Sequence, residues 1–336
     1  TEGPLVLLAG AGSGLAVALL AQRWEAAQAW QPYLQRRPAQ WGLLLTEIVL
    51  AGYLLTATTA TAAERMAFDL IATIEPEMPH NIWSGEAVLA ALPATNRVGS
   101  KPFAVEGFNP ATGSWETPFA GARYIALQAG VQLANRVGPL NDIEFSEFVI
   151  KAQAFADSVG GAPEFPDMLE EVARARELDQ FASAHDAQLS FTVCATSAAW
   201  SPGYIQQHAA RWGFVAGVIP GRMVLAAAVQ GLPPILSLSF DTQAAMADDP
   251  ALSAIREFTL SLDVPQVPRE EQAFARLREA ARILGKEMDG VITDGAGHAL
   301  NDSDLNAIAL DLEQLYDALD QRELSAGSPQ ARRLFS

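Results

Sequence analysis

The chain has 336 residues, 50% apolar and 18% charged, which is enough to bury cores in about two domains and too apolar for a largely disordered protein. Asp and Glu (39) outnumber Lys and Arg (22), a formal net charge of −17 that disfavours nucleic acid as a partner. One cysteine, Cys194, and four histidines with no two at ligand spacing exclude an internal disulfide and a thiolate metal site, and leave most catalytic designs short of parts.

Charge is unevenly distributed. Residues 1–66 hold four basic and four acidic side chains, so all of the negative charge belongs to residues 67–336. Pro4 to Ala21 runs without a charge and is followed by Arg23, a length at the short end of what spans a bilayer. No basic residue precedes it, which disfavours a cleaved leader. Arg23, Arg36 and Arg37 place its following side in the cytoplasm. Trp41–Ala63 is a second apolar stretch, interrupted by Glu47, and reads equally as an interfacial helix. A competing reading takes Gly10-Ala11-Gly12-Ser13-Gly14 as a phosphate cradle after the short strand Leu5–Leu8. Leu15 stands where the third glycine belongs, and no acid-terminated second strand follows.

From residue 67 the order is strand-like Phe68–Ile74, a helix near Ser84–Leu92, extended Pro102–Phe108 and Tyr124–Leu133, a helix from Ile143 to Val159 ending at Gly160-Gly161, and a helix Asp167–Ala184. Strict alternation then marks Leu189–Cys194, Leu236–Asp241 and Phe258–Val264 as strands with one polar face. Helices are expected at Pro202–Trp212 and Glu270–Lys286. Another is expected from Asn301, whose spacing to Asp304 is that of a capping box and whose Leu305, Ile308, Leu312, Leu315 and Leu319 form one stripe. Matching elements in the two stretches lie about 120–135 residues apart, the offset of a duplicated domain. His298 reads as a turn residue and Cys194 as a small packed side chain. Ser84-Gly85 and Ser201-Pro202 read as helix starts, and the adjacent acidic pairs as solvated surface.

The second stretch resembles the C-terminal FtsZ-binding domain of the ZipA family of membrane-anchored cell-division proteins. The resemblance rests on Glu257-Phe258-Thr259-Leu260-Ser261-Leu262-Asp263-Val264-Pro265, the helix after it, the turn Glu287–Asp294, the capped helix at Asn301, Arg211-Trp212-Gly213-Phe214 and Leu236-Ser237-Leu238. It covers about Asp186 to Leu319. The family's long Pro/Gln-rich linker is missing, and the first stretch stands in its place. The resemblance implies an α+β fold of two tandem ZipA-like domains, each an antiparallel sheet with helices on one face, after an N-terminal transmembrane helix. Its boundaries are 1–24 anchor, 25–66 linker or second apolar helix, 67–185 first repeat, 186–322 second repeat and 323–336 tail.

The implied function is a non-enzymatic adaptor in a bacterial inner membrane, single-pass, with its C-terminal domains cytoplasmic. It would bind the C-terminal peptide of FtsZ on the sheet face opposite the helices and need no cofactor, metal, nucleic acid or small-molecule substrate. Strand for strand, that face carries Ser190, Thr192, Ser239, Asp241, Ser261 and Asp263, with Ile219 at the strand edge. These are small or polar where an apolar groove is expected, although Asp241 and Asp263 could attract a basic tail. Ile71, Phe108 and Tyr124 offer the first repeat as the working surface instead. Two alternatives stay open: a soluble nucleotide-binding oxidoreductase using Gly10–Gly14, and a scaffold that binds no peptide.

Overall fold

Period-two alternation builds both sheets. Strands β1 (Asp69–Pro76), β2 (Arg97–Val98), β3 (Lys101–Asn109), β4 (Ala126–Gln132) and β5 (Gly161–Glu164) pair antiparallel in the order β5-β1-β4-β3-β2. Leu70, Ala72 and Ile74 of β1, Phe103 and Val105 of β3, and Leu127, Ala129 and Val131 of β4 point inward. They share one core with α1 (Gly85–Ala91), α2 (Asp142–Val159) and α3 (Met168–His185), so the opposite face is left without helices. The computed structural model describes residues 68–78, 82–247 and 253–336. The expected anchor 1–24, the linker 25–66 and the Gly10–Gly14 motif lie outside the described residues. Among those described, no helix is long and apolar enough to cross a membrane.

The second sheet joins β6 (Gln188–Ala195), β7 (Val215–Ala216), β8 (Arg222–Leu225), β9 (Leu236–Ser239), β10 (Glu257–Asp263) and β11 (Gly290–Thr293) in the order β7-β8-β9-β10-β6-β11. Phe191, Val193, Leu236, Leu238, Phe258, Leu260 and Leu262 face inward, against α4 (Pro202–Arg211), α6 (Ala273–Glu287) and α7 (Asp302–Gln321). A short α5 (Thr242–Met246) follows β9. Helix α6 buries Phe274, Leu277, Ala281 and Leu284 on one stripe, with each large side chain contributing about 1.5–3 kcal/mol. The fold is therefore α+β with antiparallel sheets, as expected.

Chain order and strand order agree between the halves: β11-β6-β10-β9-β8 repeats β5-β1-β4-β3-β2. A finer correspondence concerns the tryptophans. Trp83 precedes Ser84, whose hydroxyl caps α1, and its indole donates to the carbonyl of Val159 at the end of α2 (2.7 Å). Trp200 precedes Ser201, which caps α4, and its indole donates to the carbonyl of Met288 at the end of α6 (2.8 Å). The glycines opening β5 and β11 lie beneath these rings. A Cβ on Gly161 would stand 2.6 Å from Ile74 and 3.3 Å from Trp83, and one on Gly290 2.7 Å from Val193 and 3.2 Å from Trp200. Strand β5 and strand β11 occupy segments read from sequence as a helix end and a turn. Their short length and leading glycine hide the alternation.

Helix starts follow the expected chemistry. Asn141 and Glu144 form a capping box on α2, and Asn301 and Asp304 form one on α7. Glu144 does more than cap. Its carboxylate also meets the buried Lys101 ammonium at 2.9 and 3.1 Å and accepts from the Ser100 amide (3.3 Å). The last segment is not a tail: α8 (Pro329–Leu334) and Phe335 pack into the first core. The halves are also clamped by Arg136, which contacts both Asp186 (2.6 and 2.9 Å) and Asp263 (two contacts at 2.7 Å). Burial opposes the charged guanidinium, yet the hydrogen bonds it donates to Asp263 and Asp186 outweigh it and hold its pKa above the ordinary value.

Candidate functional site

The helix-free faces of the two sheets are the candidate site, and register fixes what each displays. On the second sheet one row runs Thr293, Thr192, Thr259, Ser239, Arg222, and another runs Ser190, Ser261, Ser237, Val224, Val215. Cys194 stands between Glu257 and Val291 on the same face, half-buried, with its sulfur 3.7 Å from Thr293 Oγ1. It therefore lies on the outer face, not in the core. Most of this surface is hydroxyl-bearing.

The expected residues separate into three groups. Ser190, Thr192, Ser239 and Ser261 lie together on this face, Ser190 exposed and the others half-buried. Asp263 closes the face beside Gln188 but is held by Arg136. Asp241 lies beyond the end of β9 and caps α5, accepting from the Gln243 amide (2.8 Å). Ile219 sits in the turn before β8 and is 51% exposed. The two acids offered as attractors of a basic tail are thus engaged in structural contacts.

The first sheet presents different chemistry. Ile71, Gly130 and Ala104 form a row matching Ser190, Ser261 and Ser237 of the second sheet. The next row is Glu164, Thr73, Gln128 and Glu106, with Gln128 Nε2 donating to Glu106 (2.8 Å). Beyond it Phe108 lies beside Ala126 and meets Trp115 edge to face at 5.5 Å. Gly130 leaves a shallow depression between Ile71 and Ala104, where a Cβ would meet nothing closer than 3.7 Å. Glu75, Glu106 and Glu164 flank this strip with negative charge.

Neither a protein-family model nor any curated protein matches this chain.

Of the three first-sheet residues expected from sequence, Ile71 and Phe108 share the open face. Tyr124 does not: it is fully buried, its hydroxyl accepts from the Phe119 amide (3.1 Å), and burial raises its pKa. Its ring lies against Gly107, where any Cβ would clash at 2.4 Å, so the inward face of β3 needs a glycine there. Gly130, Ala104, Gln128 and Trp115 were missed. Period-two reading of Ala126–Gln132 places Gln128 and Gly130 outward and was the available signal. Among the described residues no three His, Cys, Asp or Glu side chains converge to hold a metal ion.

Proposed function

We propose that this chain is a membrane-tethered cell-division adaptor built from two tandem ZipA-like repeats, which holds the C-terminal peptide of FtsZ on an open sheet face. The observation that carries the reading is the first sheet's helix-free face. There Ile71 and Ala104 flank the Gly130 depression, and Phe108 packs on Trp115 beyond the Gln128 row, two apolar patches on one face that offer the main source of affinity for a short peptide. The shared strand order and the paired Trp-Ser caps support duplication. Glu75, Glu106 and Glu164 suit a tail that carries basic residues. The Ser/Thr face around Ser190, Thr192, Ser239 and Ser261 supplies hydrogen-bonding positions and little apolar area, so the first repeat carries most of the affinity. The anchor at 1–24 and the cytoplasmic placement belong to the same proposal, on the strength of the Pro4–Ala21 run and the arginines after it.

Calorimetric titration of the full chain with an FtsZ C-terminal peptide tests this. Saturable binding at micromolar concentration, weakened by Ile71→Asp, is the expected result. No heat at millimolar peptide overturns the FtsZ assignment.

A further inference from the structure

Residues 322–336 follow the second half in sequence and pack on the first core and against Val264–Gln266 of the second half, where the Gly327 amide donates to the Pro265 carbonyl (2.8 Å). Ala331, Leu334 and Phe335 are buried in the core shared with Leu133, Ala134 and Leu178. At the same place the first open face ends in the cross-strand pair Asp69 and Gln132. Both have outward register, yet both are covered. The Arg333 guanidinium pairs with the Asp69 carboxylate, with Nη1 at 3.0 Å from Oδ2. Gln132 Nε2 donates to the Arg333 carbonyl (2.8 Å), and Gln266 Nε2 donates to the Phe335 carbonyl (2.6 Å). Buried positions for apolar side chains, an acid facing an arginine and two amides, one from each half, that read main-chain carbonyls are the elements of a peptide-recognition site.

Two features make the occupant exchangeable. A six-residue helix has no stability of its own and depends on docking. Arg333 is 45% exposed, so its ion pair is screened by solvent.

We infer that the Asp69–Gln132 end of the first open face, together with Gln266 of the second half, forms a peptide-docking seat, filled in the resting chain by Pro329–Phe335, and that this segment opens and re-docks while both halves stay folded. The ligand class is defined by the occupant: a short helix presenting arginine followed by two large apolar side chains. The inference does not depend on which tail the open face takes.

Hydrogen exchange on the unmodified full chain is the first arm. Amides of residues 330–335 are expected to exchange at least ~100-fold faster than those of residues 127–131, as local opening requires. Equal rates in the two segments overturn the inference. The second arm adds a fluorescent peptide with the sequence of residues 322–336. It is expected to bind Phe335→Ala chain, whose own segment is weakened, about tenfold more tightly than unmodified chain. Asp69→Arg, which sets two arginines against each other, should weaken that binding at least about threefold, and a peptide with Arg333→Asp should restore it. Peptide binding indifferent to Asp69→Arg overturns the seat. Circular dichroism checks that each variant is folded, and if Phe335→Ala unfolds, the exchange arm decides alone.

Discussion

Replacing Glu144 by Gln isolates one buried charge. The variant keeps a side chain able to close the capping box on α2, but leaves the Lys101 ammonium, 2% exposed, without its counter-charge. Breaking a buried pair from one side costs about 3–5 kcal/mol. Lys101→Met leaves the opposite charge, but the carboxylate retains donors from the Ser100 amide (3.3 Å), the Asn141 amide (3.2 Å) and Asn141 Nδ2 (3.1 Å), so that cost is smaller, about 1–3 kcal/mol. The double variant has no charge to bury. Its destabilisation should therefore fall below the sum of the singles by about 2 kcal/mol or more, well outside the roughly 0.5 kcal/mol scatter of independent sites. Urea unfolding followed by tryptophan fluorescence measures all four proteins. Singles that each cost under about 1 kcal/mol and simply add would refute the reasoning.

Other outcomes follow from the same geometry. Gly130→Leu should leave stability within about 1 kcal/mol, because a Cβ there meets only ordinary contacts, while filling the depression and reducing peptide affinity at least tenfold in the calorimetric titration. Ile71→Asp removes an apolar contact worth about 2 kcal/mol, a loss of ~30-fold in Kd by the same assay. Arg136→Ala leaves Asp186 and Asp263 unpaired at the junction. Discounted for the 34% exposure of Asp263, the cost is about 2–3 kcal/mol in urea unfolding, and a cost below about 0.5 would deny the clamp any role. The His298 and Ala296 amides hold the Asp294 carboxyl below its ordinary value. A depressed carboxylate stabilises the fold above its unfolded pKa and loses that contribution as pH falls through its folded pKa. Asp294→Asn should therefore lose less stability than the unmodified chain on acidification below about pH 4, as followed by thermal melts.

Elements whose signal is local were legible in the sequence. The alternation of Leu189–Cys194 and Phe258–Val264 and the Asn301–Asp304 box each settle within one turn or strand, and each formed within a residue or two of expectation. Features made by distant residues were not legible. Nothing near Lys101 announces Glu144, 43 residues away, and a lysine at an inward strand position reads as a strand end. Phe335 looks like the end of a tail because the cleft that buries it belongs to the other half. Tyr124 could not be assigned a face because its two-residue strand pairs with Trp83–Ser84, outside the main sheet. The repeated Trp-Ser caps were readable and passed over, since Trp83 and Trp200 gain meaning only when their indoles reach Val159 and Met288.

The most direct test of the open-face account is methyl-resolved NMR of the full chain, labelled on Ile and Ala, with added FtsZ C-terminal peptide. The account predicts perturbations at Ile71, Ala104 and Ala126 on the helix-free face of the first sheet, with the methyls of Ala152 and Ala156 of α2 on its helix side unmoved. Perturbations confined to the helix side, or an unchanged spectrum at millimolar peptide, would contradict it.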